Sequence, residues 1–281
     1  MRDGRFRPVY LPGGAASGRW TTHGGGALQI PRIIRRAVVA DPGWRLVVAD
    51  ADQLEPRVLA AVSRDPALMA VAAGDGDLYA AVADRGFAGD RARAKLAVLG
   101  AVYGQTSGDG LRHLAALRRR FPVAVGYVDE AARAGERGRL VRTHLGRTCP
   151  AGEADAGAGE GGDAESREGA AARARGRFTR NFVVQGSAAE WALLMLAGLR
   201  SALHGRGLAA ELVFFQHDEV IVHCPAGEAE AVVAAVRAAG AEAGRIAFGD
   251  TPVRFPFTAS VVRCYADAKP AVSDGSADDA P

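Results

Sequence analysis

The chain has 281 residues, 48% of them hydrophobic, which suits one large domain or two small ones. No apolar run approaches a membrane span, the N-terminus MRDGRFRPVY has no apolar leader core, and the odd, scattered Cys149, Cys224 and Cys264 form no C-x-x-C pair. These features exclude a disulfide scaffold or cysteine zinc site and fit a reduced cytoplasmic protein with no membrane partner. The formal charge of +3 averages a basic body with two acidic pieces: 151–168, with six acids against Arg167 alone, and the end of the chain, with Asp274, Asp278 and Asp279. A basic body suits a phosphate-rich partner, and ordinary solubility charge is the alternative.

Residues 1–43 are rich in Gly, Pro and Arg and show little periodicity. WRLVVAD (44–50) is a short apolar run ending in a carboxylate, which predicts a buried strand. A helix is expected over 53–63, with Pro56 in its first turn, where proline is tolerated. Further helices are expected near 77–85, 90–103, 107–119 and 123–136. LVRTHLGRTCP predicts a hairpin-like turn around Gly146. The low-complexity, polar segment 151–172 is expected to be a disordered surface insertion. A long helix follows over 175–204. ELVFFQHDEVIVHC (211–224) predicts two strands around a QHDE turn, and 226–246 an alanine-rich helix. FPFTASVV (255–262) completes the set as a last strand before a disordered tail. Helices mixed with a few strands, one pair forming a hairpin, give the class α+β with an antiparallel sheet, and the helices of 77–136 form a candidate subdomain.

Three groups of residues carry possible chemistry. Asp50 ends an apolar strand, and Asp218 sits at the tip of an apolar hairpin, followed by Glu219. Carboxylates at the ends of buried strands are costly unless paired, solvated or bound to a cation. Two of them brought together make a hard-oxygen site suited to magnesium. A pair of such ions about 3.5–4 Å apart activates an attacking hydroxyl and stabilises a leaving pyrophosphate. The alternative is an ordinary strand-end acid and a turn aspartate. Arg91, Lys95, Leu99 and Tyr103 recur every four residues, one stripe on a helix in which the two cations suit a triphosphate. A solvated basic face running into a core tyrosine is the other reading. Lys95 and Lys269 are the only lysines among 35 basic residues, so Lys95 suggests a place that needs a compact ammonium. Arg177, Asn181 and Gln185 draw a polar line along the next long helix, suited to a nucleic-acid backbone or to a satisfied buried amide pair.

Taken in order, these elements resemble the bacterial DNA polymerase I family, family A, and its divergent actinobacterial-type members. VVADADQLEPRVLAAVSRD is similar to motif A (D-Y-S-Q-I-E-L-R, then S-x-D), RARAKLAVLGAVYG to motif B (R-x3-K-x7-Y-G), and LVFFQHDEVIV to motif C. ASGRW is similar to the T-G-R element, and RNFVVQGSAAEW to the R-x3-N-x3-Q-G segment. The resemblance spans Ala16 to Ala266. It implies a polymerase palm over 16–76 and 137–268, reduced fingers over 77–136, an N-terminal remnant over 1–15 and a tail over 269–281.

The resemblance further implies template-directed DNA synthesis in replication or repair, with primer–template DNA and dNTPs as partners and two Mg2+ ions, replaceable by Mn2+, as cofactors. Asp50 and Asp218 then correspond to the metal-binding carboxylates, Glu219 to a supporting acid, and the Ala51 carbonyl to a further metal contact. Gln53, Glu55, Arg91, Lys95, Leu99 and Tyr103 correspond to the nucleotide pocket, with Glu55 as the gate against a ribose 2′-hydroxyl and Lys95 as proton donor to pyrophosphate. Arg19, Arg177, Asn181, Gln185 and His217 correspond to the duplex contacts. Departures from the family pattern are Ala51 and Asp52 in place of Tyr-Ser, Leu99 in place of an aromatic, and Tyr79 in place of a histidine. Asp52 is expected to cap the following helix. A thumb or exonuclease polypeptide is a further implied partner. A degenerate polymerase-like domain that binds nucleic acid is the rival reading, and a single-subunit RNA polymerase fits less well because Glu55 is retained.

Overall fold

The computed structural model describes residues 4–5, 7–23, 30–104, 109–150 and 164–268. A small hairpin of β1 (Tyr10–Leu11) and β2 (Thr21–Thr22) precedes β3 (Trp44–Ala51). Helices α1 (Leu54–Ser63), α2 (Pro66–Ala72), α3 (Leu78–Gly86), α4 (Arg91–Tyr103), α5 (Asp109–Arg120) and α6 (Pro122–Glu136) follow without an intervening strand. Then come α7 (Ala164–Gly205), β4 (Glu211–Gln216), β5 (Glu219–Pro225), α8 (Ala229–Phe248) and β6 (Phe257–Val262). The second sheet has four strands in the order β4-β5-β3-β6, every neighbour antiparallel. The α+β class expected from the sequence is the class observed.

Strand alternation divides the sheet into two faces. Val47, Ala49, Ala51, Val220, Val222 and Cys224 point into the main core, which is shared with α7, α8 and α1. Leu46, Val48 and Ile221 point the other way, into a smaller cluster closed by Ile30, Phe214, Tyr265 and Ala268. Trp191 of α7 stacks on Phe255 and Phe257 at the edge of β6. The main core continues unbroken into α3, α4, α5 and α6. Gly135 of α6 faces Thr179 of α7 so closely that a Cβ would lie 2.1 Å from the threonine hydroxyl, which is how these two helices come together.

Two buried charged residues hold the connections. Arg57 of α1 is fully buried and donates five hydrogen bonds, to the carbonyls of Asp52, Ala72, Gly74, Gly76 and Arg254. One guanidinium thus ties α1, the loop after α2 and the approach to β6 together, as its planar fork of donors allows. Asp65, also buried, accepts from Ala67 and Leu68 at the start of α2 with one oxygen, and from Val123 and Ala124 at the start of α6 with the other. A single carboxylate therefore caps two helices, satisfying N–H groups that neither helix can pair internally.

Three expectations need correction. The sequence predicts a disordered segment over 151–172, but α7 already begins at Ala164. Its alanine-rich, Glu- and Arg-containing sequence is a good helix former once it continues into a packed helix; 151–163 lie outside the described residues, as does the tail from 269. Asp52 does not cap α1: the cap position is Gln53, with φ 48° and no side-chain cap bond, while the Asp52 carboxylate accepts from Thr258 at 2.7 Å. The left-handed turn at Gln53 directs Asp52 to the neighbouring strand instead. Finally, Glu168–Gly205 within α7 is long and apolar enough to cross a membrane by length and composition. Polar residues at intervals hide this when only uninterrupted runs are sought. The helix lies packed between α6 and α8 and mostly buried, as a core helix does.

Candidate active site

The register of the sheet builds the carboxylate site. Asp50, one residue from the end of β3, is the direct cross-strand partner of Glu219, the first residue of β5. Residues so paired share a face, with Cβ atoms roughly 4.5–5.5 Å apart. Between β4 and β5 the chain turns on His217 and Asp218, and His217 takes a left-handed conformation with φ 56°. The Ala51 N–H donates to the Asp218 carbonyl at 3.1 Å, fastening the turn to the end of β3. Burial, and then the charge of Asp50, push the Asp218 carboxyl up to about 7. The register of β3 and β5 and the Ala51 bond bring the turn beside Asp50, whose charge disfavours ionisation of Asp218. His217 is pushed below its ordinary range, first by burial and then by Arg19, so it is neutral at neutral pH.

Glu55 stands at the first turn of α1, five residues after Asp50. It accepts from Arg19 at 2.6 Å and from the Tyr103 hydroxyl at 2.8 Å. Three separate segments, the loop after β1, the start of α1 and the end of α4, thus meet on one carboxylate. Burial and the Glu55 charge raise the Tyr103 phenol, and the same two causes push Tyr79 up to about 12, so both remain donors. Arg19 and Glu55 also act electrostatically on Asp218, which joins this cluster to the carboxylate pair.

Arg91 projects from the first turn of α4. Its guanidinium binds Asp77 at 2.7 Å and lies over the Tyr79 ring at 5.7 Å. Lys95 is exposed one turn later, Leu99 is half-buried, and Tyr103 ends the stripe beside Glu55. Gln53 accepts from the Leu78 N–H at 3.3 Å, so its amide secures the start of α3. On α7, Arg177 is exposed while Asn181 and Gln185 are half-buried. The Asn181 side-chain oxygen and the His217 Nδ1 are buried with no hydrogen-bond partner among the described residues.

Four residues at this site were not singled out by sequence reasoning. Asp77 holds Arg91 in place. Arg180 donates to the Ala101 carbonyl at 2.7 Å and pairs with Asp129, anchoring the last turn of α4 to α7 and α6. Arg147 lies against Gly18, where a φ of +87° favours glycine and a Cβ would come 2.6 Å from the guanidinium. Tyr265 donates to Glu219 from beneath the sheet. Of these, only Arg180, which opens the RNFVVQGSAAEW segment, left a trace in the sequence.

The family model for DNA polymerase family A matches residues 3–253. The chain belongs to DNA polymerase family A. It is similar to DNA polymerase I of Chloroflexus aurantiacus, 32% identical over 255 residues, covering 82% of this chain and 26% of that protein. It is also similar to the thermostable DNA polymerase I of Thermus aquaticus, at 29% identity over 82% of this chain and 29% of that protein. Among solved structures it resembles the POL domain of Pol1 from M. smegmatis in complex with DNA primer-template and dNTP. That match has a TM-score of 0.78 and 26% identity over 95% of this chain and 49% of the other. The chain thus spans between a quarter and a third of the length of these curated family A relatives.

Proposed function

We propose that the chain catalyses template-directed DNA synthesis, joining a dNTP to a primer 3′-hydroxyl with release of pyrophosphate. The observation that carries this is the meeting of Asp50 and Asp218 at one strand end, with Glu55 braced beside them by Arg19 and Tyr103. The donor set fits Mg2+, with Mn2+ as a substitute. Two carboxylates that resist joint ionisation in a partly buried site are stabilised by a hard divalent cation, and oxygen is its preferred ligand. Asp50, Asp218 and the Ala51 carbonyl would hold the ions, with Glu219 in support. Bound there, such ions lower the pKa of the attacking hydroxyl and neutralise charge on the leaving phosphate.

The remaining steps belong to side chains of this chain. Lys95, exposed on α4, binds the triphosphate and donates a proton to the departing pyrophosphate, with Arg91 as a second phosphate contact. Tyr103 flanks the new base pair, and Leu99 forms a wall of the sugar pocket. Glu55 blocks a 2′-hydroxyl, while Gln53 keeps the neighbouring helix start in register. Arg19, Arg177, Asn181, Gln185 and His217 bind primer and template. In this reading 16–76 and 137–268 form the palm and 77–136 the fingers. Activity in DNA replication or repair in the cytoplasm, with a thumb or exonuclease polypeptide supplying further grip, completes it.

Primer extension with purified protein tests the reading. Incorporation is expected with Mg2+, none with chelator, and none in Asp218→Asn. The second reading, a domain that binds DNA without efficient synthesis, is favoured by the engagement of Arg91 with Asp77. Mg2+-dependent DNA binding with no incorporation would establish it.

A further inference from the structure

Beside the carboxylate pair lies a third acid that the proposed chemistry uses only in support. Glu219 is buried, and it is the cross-strand neighbour of Asp50 on the same face of the sheet. A carboxylate in that position, if free to rotate, reaches the same cation as Asp50. The structure gives it another engagement: the Tyr265 hydroxyl donates to Glu219 Oε1.

Tyr265 is itself held from several sides. It is 1% exposed, in the small cluster on that face of the sheet. Its backbone N–H donates to the Val38 carbonyl at 2.9 Å, and the Arg35 guanidinium covers its ring at 4.7 Å. The flanking chain is fastened by the Ala40 N–H to the Arg263 carbonyl, and by the Val39 and Cys264 bridge. A phenol fixed in this way sets the direction of the carboxylate it binds.

We propose that Tyr265 is a positioning residue that holds Glu219 back from the Asp50 and Asp218 pair, so that two carboxylates rather than three face the divalent cation. The inference rests on reading that pair as the cation site. Its physical sense lies in charge count. A third carboxylate tightens binding of a hard cation, because affinity follows the number of charged ligands. A tighter ion with one more protein ligand has fewer positions for substrate oxygens, and turnover falls.

The test compares wild type, Tyr265→Phe, Glu219→Gln and the double variant. Mn2+ binding is followed by loss of the free-ion electron paramagnetic resonance signal, without DNA or nucleotide. Tyr265→Phe keeps the ring and its packing, and is expected to bind Mn2+ about fivefold or more tightly than wild type. The double variant loses that gain. Extension by Tyr265→Phe should fall in kcat with little change in KM for dNTP, a split that general loosening of the fold does not produce. Equal Mn2+ affinity in wild type and a folded Tyr265→Phe overturns the proposal. So does a loss of about tenfold or more in Glu219→Gln alone, which would make Glu219 a ligand already; that arm decides even if Tyr265→Phe fails to fold. Wild-type Mn2+ binding abolished by Asp218→Asn, with the expected variant pattern but no primer extension, would remove the polymerase reading and support this one. Absence of such binding in wild type overturns this one.

Discussion

Two groups of buried or half-buried charges are built in opposite ways. At Arg57 and Asp65 the donors and acceptors are matched, with five carbonyls for one guanidinium and four amides for one carboxylate. At Asp50 and Asp218 two like charges oppose each other, and the second acid is pushed up to about 7. A charge with a complete set of partners holds the fold. A like-charged pair at a strand end raises the cost of ionising both acids, which Arg19 offsets in part at Asp218 and a bound cation would offset further. Buried charge alone therefore says little about function; the sign and number of its neighbours decide.

Replacement of Asp218 gives the largest expected contrast. Asp218→Asn should reduce single-turnover extension by about 10³-fold, since the site loses one of its two anionic ligands. The same variant should be more stable than wild type at alkaline pH without metal. A raised carboxyl contributes stability that is complete below its unfolded value of 3.8 and is lost as pH rises through about 7. Thermal melting of metal-free wild type should therefore decline between about pH 4 and 7 through this group, with Mg2+ restoring part of the loss above 7. A melting profile unchanged by Asp218→Asn would show that the pair is not under strain of charge.

Arg57→Met should act in the reverse sense, costing about 3–5 kcal/mol of stability because buried carbonyls lose their donor. Urea unfolding measures it; a cost below about 1 kcal/mol would mean that water replaces the guanidinium. Asp65→Ala removes caps from two helices and should cost about 2–3 kcal/mol, roughly the sum of two ordinary caps. Hydrogen exchange should show the starts of α2 and α6 loosening together; protection lost at only one of them would break the shared-cap account.

The smallest effect expected is in sugar choice. Glu55 is braced by Arg19 and Tyr103; in the proposed function Leu99 would give the sugar pocket a softer wall and Ala51 less support than the family pattern. Discrimination against ribonucleotides should accordingly be weaker than the family norm. Glu55→Ala should lower it by about tenfold, or roughly 1.4 kcal/mol, with a lesser effect on dNTP incorporation. The ratio of kcat/KM for dNTP and rNTP on one primer–template measures this, and an unchanged ratio would remove Glu55 from the gate.

Much of this molecule is legible along the chain. Apolar alternation and strand-end acids mark 44–50 and 211–224, and the helices expected over 53–63, 90–103 and 123–136 lie within a residue of those observed, because these patterns arise between residues a few positions apart. The order of the motif elements likewise points to family A. What the chain order does not reveal is which distant groups meet. Arg19 reaches Glu55 across 36 positions and Tyr103 reaches it across 48. Asp65 caps a helix that starts 57 positions later, and Tyr265 binds an acid 46 positions before it. The role of Asp52 is hidden for the same reason: it is followed by a left-handed residue, and its side chain bonds a strand far along the sequence. Periodicity follows from local backbone geometry and can be read from neighbours. The direction of a carboxylate depends on which donors the folded chain brings to it, and only the packing of sheet on helix selects those.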